Sequence, residues 1–230
     1  MLRPSAWLRS PVSLDLSLMI VYSQLFCIEL VQQDLWLEKR LKPTRTSYNH
    51  MLCCMKGTRQ SILNQVIAWV ANGSGSSNTY WIYGLPGIGK TSLSHSICKT
   101  LDERNQLIGV FFCQRDDTNS SEPRNIIPTL IYKLAEISPT FRRIVAERLR
   151  SKPNLTTESM TDTHFLDFIR STPSQPNEHP CAFVIDALDE CGNSRSRQDV
   201  LKALTDAAAL APWLKIIITS RPEADIETFS

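Results

Sequence analysis

Gly84-Leu85-Pro86-Gly87-Ile88-Gly89-Lys90-Thr91 decides how the rest of this chain is read. The eight residues fit G-x-x-x-x-G-K-[ST], a spelling that gains chemical meaning when a strand runs into it and a helix runs out of it. Upstream, Thr79 to Tyr83 is a short continuous apolar run, the pattern of a strand buried on both faces of a parallel sheet. Downstream, Leu93, Ile97 and Leu101 recur every four residues, so a helix leaves the turn with one face toward the sheet. Three of the chain's eight glycines lie in the turn, where backbone N–H groups approach an anion closely only if no side chain obstructs them. The implied structure is a loop that wraps phosphates, with the partial positive charge of the next helix's N-terminus directed at the same group.

Each residue of the loop then has an expected task. Gly84, Leu85, Pro86, Gly87, Ile88 and Gly89 line the phosphates, Lys90 bridges β and γ oxygens, and Ser92 joins the contacts. Thr91 offers its hydroxyl to Mg²⁺, a hard ion that prefers oxygen and keeps several waters. The expected ligand is ATP or GTP with Mg²⁺.

Two further clusters fall where strands are expected to end. Cys181 to Ile185 is an apolar run closing on Asp186-Ala187-Leu188-Asp189-Glu190. A carboxylate at Asp186 suits the water shell of Mg²⁺, and either Asp189 or Glu190 is placed to orient and deprotonate an attacking water. Leu214 to Thr219 is another apolar run, followed by Ser220-Arg221-Pro222. If that strand lies beside the one entering the loop, Arg221 can face a γ-phosphate through a charge-assisted hydrogen bond. The strand carrying Asp186 is expected one sheet position from the loop strand.

Between these clusters the sequence alternates strands with helices. Helical spacing is read over Thr58 to Val70, after which a Gly/Ser-rich loop comes, and Leu107 to Cys113 reads as a second strand. Ile127, Ile131, Leu134 and Ile137 trace one helical face whose start Pro128 is expected to kink. Ser138-Pro139 opens another helix, a third lies around Phe165 and Phe168, and Gln198 to Leu210 is helical before the last strand. This alternation implies an α/β, three-layer fold with a mostly parallel sheet, whose ligands gather beyond the carboxyl ends of the strands.

Composition narrows the partners. The 230 residues carry 25 basic and 23 acidic side chains, a net charge of +2, with none of the surplus that marks a nucleic-acid or membrane-surface binder. Seven cysteines contain no C-x-x-C pair, so neither a disulfide framework nor a zinc ribbon is indicated and a reducing, cytoplasmic compartment fits. Leu14 to Leu41 is apolar but broken by Gln24, Glu29 and Asp34, short of a membrane span and better read as a packing helix. Residues 1–53 are accordingly set apart as an N-terminal helical segment, and 54–230 as the nucleotide-binding domain.

Taken together, Gly57-Thr58-Arg59, the Gly84–Thr91 loop, Gly109-Val110-Phe111-Phe112, Asp186-Ala187-Leu188-Asp189-Glu190-Cys191 and Ile218-Thr219-Ser220-Arg221-Pro222-Glu223 resemble the NACHT family. The nephrocystin-3-like N-terminal group is the nearer likeness, from about Cys54 to Phe229. The resemblance implies a STAND-type NTPase, a regulatory switch whose nucleotide state controls self-association and signalling, and it favours ATP. It puts Arg59 near the base and ribose. It also implies a fifth core strand, a winged-helix lid with a sensing histidine, and repeats, none of which this sequence reaches by Ser230; slow or no hydrolysis is then expected. None of His50, His95, His164 and His179 stands where it would replace that histidine. The competing expectation is a truncated interaction or decoy protein that pairs with full-length relatives without turnover.

Overall fold

In the computed structural model, residues 31–72, 77–157, 160, 162–172 and 179–227 are described. The chain divides after Trp36 into two units. Helix α1 (residues 31–41) straddles that division; the earlier part of the apolar N-terminal stretch lies outside the described residues. The second unit, Leu37–Ser230, holds the sheet and the glycine-rich loop.

Four strands form one sheet: β1 (Thr79–Tyr83), β2 (Leu107–Phe112), β3 (Cys181–Asp186) and β4 (Leu214–Ser220). Their order is β1-β4-β3-β2, and every neighbouring pair is parallel. The expected mostly parallel sheet is thus wholly parallel among the described residues. Helix α2 (Gln60–Ala71) precedes β1; the strands are joined through helices α3 (Lys90–Glu103), α4 (Ile126–Ile137), α5 (Pro139–Ser151), α6 (Asp162–Arg170) and α7 (Ser194–Leu210), with a short α8 (Ala224–Glu227) after β4. Parallel neighbours need such crossovers, because a two-residue turn cannot return the chain to the same end of the sheet.

Strand order corrects the sequence reading at two points. β4 lies between β1 and β3, so Asp186 sits two positions from the loop strand and not one. β1 is one edge of the sheet among the described residues, β2 being the other: β1's residues are half-buried and Tyr83 is 61% exposed, whereas the central β3 and β4 are buried throughout. An apolar run alone does not tell a central strand from an edge strand packed by helices on both sides.

Side chains alternate between faces of each strand. Val110, Phe112, Ala182, Val184 and Ile217 form one face and meet Val66, Ile67 and Val70 of α2 and Leu93, Ile97, Cys98 and Leu101 of α3. The intervening residues, Phe111, Phe183, Ile185, Ile216 and Ile218, are buried as well, on the opposite face. There α4 packs against β2 and α7 against β4. This is the three-layer arrangement expected from the sequence.

Local signals explain the helix ends. Ser138 caps α5, its hydroxyl accepting from Phe141 N at 3.2 Å, with Pro139 in the first turn where its missing N–H has no intrahelical use. Pro128 likewise falls in the first turn of α4, so the expected kink has no lost hydrogen bond to cause it. Helix α7 starts four residues before Gln198, through a reciprocal cap between Asn193 and Ser196. A serine at the third position is a weaker sequence signal than the glutamate or glutamine usual there.

Residues 42–57, with a single 3₁₀ turn at His50–Leu52, form a strap that passes from α4 on one face, past β2, where Thr46 Oγ1 donates to Val110 O, to α3 on the other. Thr44 N bonds Thr129 Oγ1, Asn49 N bonds His95 Nδ1 at 3.0 Å, and Cys54 N bonds Ser96 Oγ. Among the described residues no helix is long and apolar enough to cross a membrane.

Candidate functional site

The glycine-rich loop connects β1 to α3, as its flanking patterns require. Gly87 (φ 76°) and Gly89 (φ 80°) occupy the left-handed region, where a Cβ is strained, and Gly89 is the residue from which α3 starts. Leu85 projects outward at 69% exposure, whereas Ile88 folds its Cδ1 back over Gly84, into the space that a Cβ on that glycine would occupy. Gly84 N donates to Ser220 O, fastening the loop's entry to the end of β4.

Lys90 folds over this loop. Its Nζ donates to Gly84 O at 2.6 Å and to Leu85 O at 3.1 Å, which holds the ammonium at the mouth of the turn. Thr91 is exposed at the helix start, and Ser92 is half-buried with its carbonyl taken by Ser96 Oγ. Arg59, itself left-handed (φ 56°), is turned onto the loop: Nη1 donates to Gly89 O at 3.2 Å. Beside it lies a cleft of about 180 Å³ whose lining includes Cys54, Leu63, Leu93 and Thr100.

Asp186 closes β3 and is 2% exposed. Two hydroxyls converge on one of its oxygens. Ser94 Oγ, from the first turns of α3, and Thr219 Oγ1, from β4, each donate to Oδ1 at 2.6 Å. Oδ2 accepts from none of the described residues.

The turn after Asp186 is held as firmly. Ala187 adopts φ 56°, ψ 44°, a left-handed conformation that costs a non-glycine residue about 1–2 kcal/mol and tolerates bulk poorly. Its N–H donates to Thr219 Oγ1 at 3.0 Å, so the same threonine supports the carboxylate and the strained residue behind it. A small residue directly after the aspartate therefore has a conformational reason. A single 3₁₀ turn, Leu188–Glu190, then aims Asp189 at β4.

Asp189 and Arg221 meet there. Arg221 N donates to Asp189 Oδ1 at 3.0 Å and Arg221 Nε lies 3.2 Å from Oδ2. β4 does neighbour β1, as the reading of Arg221 required, but the guanidinium engages Asp189. Glu190 has no hydrogen bond or ion pair from its side chain among the described residues and is half-buried. Of the two acids left open by the sequence, Glu190 is the one with unspent oxygens.

Nearby, His95 on α3 stacks on Phe112 with ring centroids 4.5 Å apart. Burial lowers its pKa below the usual value, with Asp186 opposing less strongly. It packs on β2 and accepts the strap's Asn49 N–H.

Ser94 and Thr219 are functional candidates that sequence reasoning misses. Their signal is slight: a serine four residues after the loop lysine, and a threonine whose strand partner depends on a register that sequence does not give. No group of three or more histidine, cysteine or acidic side chains gathers among the described residues. A phosphate-bound Mg²⁺ needs only one or two protein oxygens, and the hydroxyl and carboxylate donors here have the right hardness.

The sequence pattern of the family described as "Nephrocystin 3, N-terminal" matches residues 57–221, well over half of the chain and all of the clusters above. The chain belongs to that family. Its nephrocystin 3 N-terminal match begins at Gly57, two residues before Arg59, and ends on Arg221. No curated protein matches the chain. Among solved structures, one titled "Structure of Drosophila ORC bound to DNA" aligns over 99% of this chain and 50% of that one, with 16% identity and a TM-score of 0.38. The chain spans half the length of that relative.

Proposed function

We propose that this nephrocystin 3 N-terminal domain is an Mg²⁺-dependent, ATP-binding regulatory module of the NACHT and STAND kind, with slow hydrolysis or none. One observation carries the reading: the 2.6 Å bond from Ser94 Oγ to Asp186 Oδ1. It ties the helix that leaves the glycine loop to the strand end that bears the acid, although those strands are two positions apart.

In this reading the backbone N–H groups of Leu85 and of Gly87 to Lys90 bind the phosphates, and Lys90 exchanges its two carbonyl partners for phosphate oxygens. Thr91 and Asp186 hold hydrated Mg²⁺, which neutralises phosphate charge when bound. Glu190 takes the proton of an attacking water, since Asp189 is committed to Arg221. That commitment also supports low turnover: Arg221 must leave Asp189 before it can meet a γ-phosphate.

The test is nucleotide affinity measured with a fluorescent ATP analogue, with Mg²⁺ and with chelator. Lys90→Ala is expected to weaken binding by at least about tenfold, because the ammonium's charge-assisted bonds are the strong ones. Unchanged affinity in Lys90→Ala would remove the proposal. A GTP analogue in parallel decides between the two bases.

A further inference from the structure

We propose that Ser94 and Thr219 are positioning residues for the cation: their two hydroxyls occupy Asp186 Oδ1 and so reserve Oδ2 for the metal's water shell. The inference rests on the Mg²⁺-nucleotide reading above and names how that same site is held.

The geometry is specific. Ser94 lies four residues after Lys90, on the same side of α3 one turn further on. The β3–β4 register pairs Val184 with Ile217 and Ile185 with Ile218, and its next step sets Asp186 beside Thr219. Both hydroxyl-bearing residues are fully buried, so neither exchanges its partner with bulk water. An aspartate rotates about its side-chain bonds, and either oxygen serves equally for a cation in a free carboxylate. Here two donors on one oxygen, arriving from α3 and β4, select a single orientation. Thr219 also fixes the Ala187 turn through the Ala187 N–H, so the carboxylate and the chain behind it are set by one side chain. Groups that orient a metal ligand without touching the metal typically influence metal affinity by about 10–100-fold.

The experiment uses the full chain and three variants: Ser94→Ala, Thr219→Val and Thr219→Ser. ATP-analogue binding is measured in chelator and then titrated with Mg²⁺, and each variant's melting temperature is recorded. The expected result is a Mg²⁺ half-saturation raised about tenfold or more in Ser94→Ala and Thr219→Val. Binding in chelator should stay unchanged, and Thr219→Ser should restore the Mg²⁺ response. Ser94→Ala deletes one oxygen and guards against a Thr219→Val chain that fails to fold. A melting shift with an unmoved Mg²⁺ midpoint in both variants would make the hydroxyls purely structural and overturn the inference. Absence of any Mg²⁺ effect in the unsubstituted chain would overturn the nucleotide reading itself, and this inference with it.

Discussion

Asp189 holds Arg221 at two points, accepting the backbone N–H on Oδ1 at 3.0 Å while Oδ2 lies 3.2 Å from Nε. The carboxylate is 4% exposed and the guanidinium 40%, so the backbone contact is the better shielded of the two. Asp189→Ala therefore leaves a partly buried N–H unpaired and is expected to cost about 1–3 kcal/mol of unfolding free energy. Arg221→Ala keeps the backbone bond and should cost less than about 1 kcal/mol. Chemical denaturation of the two variants checks the order. In the same preparations, Glu190→Gln should abolish any phosphate release, whereas Asp189→Asn should reduce it by less than about tenfold, a division set by which acid has free oxygens.

His95 makes stability depend on acidity. Its Nδ1 accepts from Asn49 N at 3.0 Å, which needs the neutral ring, and burial depresses its pKa below the ordinary 6.5. The unfolded chain therefore binds the proton first, and stability is fully present above pH 6.5 and is lost as pH falls toward the folded value. Unfolding midpoints measured from about pH 7.5 to 5 should decline, and His95→Gln, which retains an acceptor, should flatten the decline.

Lys215 is a buried cation on β4, with Nζ 2.6 Å from Asn78 Oδ1 and 5.2 Å from the centre of the Trp69 ring. Burial lowers its pKa, so stability should rise as pH climbs through the folded value toward the ordinary 10.5. Lys215→Met keeps the volume without the charge and should leave stability near neutral pH unchanged or raised, while erasing the alkaline rise. Lys215→Ala, which opens a cavity, should lose about 2–5 kcal/mol by the same denaturation measurement.

Ser138 is a cap that can be tested alone. Ser138→Ala should destabilise by about 1 kcal/mol, and Ser138→Asp should retain the stability, because either oxygen satisfies the Phe141 N–H. Thermal melts of the pair distinguish a cap from a packing contribution.

The fold is largely legible in the sequence because its strands are apolar runs bounded by chemistry. Thr79–Tyr83 is found at its expected bounds, and Cys181–Asp186 and Leu214–Ser220 each extend the expected run by one residue. Helical faces such as Leu93, Ile97 and Leu101 are buried as their spacing requires. What sequence cannot supply is adjacency. Strand order has no local signature, so the insertion of β4 between β1 and β3 is hidden, and with it the meeting of Thr219 with Asp186. The Arg221–Asp189 pair is hidden for a second reason: it depends on Ala187 turning left-handed, and nothing in an alanine announces that. The loop itself is readable since glycines, lysine and threonine at fixed offsets state their geometry directly.

β4 touches both halves of the candidate site, with Gly84 N on Ser220 O at one flank and Thr219 Oγ1 on Asp186 at the other. In a pleated strand a slip of one residue turns every side chain to the reverse face. Such a slip would swing Thr219 away from the acid and present a neighbour in its place. The acid's orientation therefore depends on the register of a strand that supplies none of the loop's glycines and neither of the site's two carboxylates at Asp186 and Glu190.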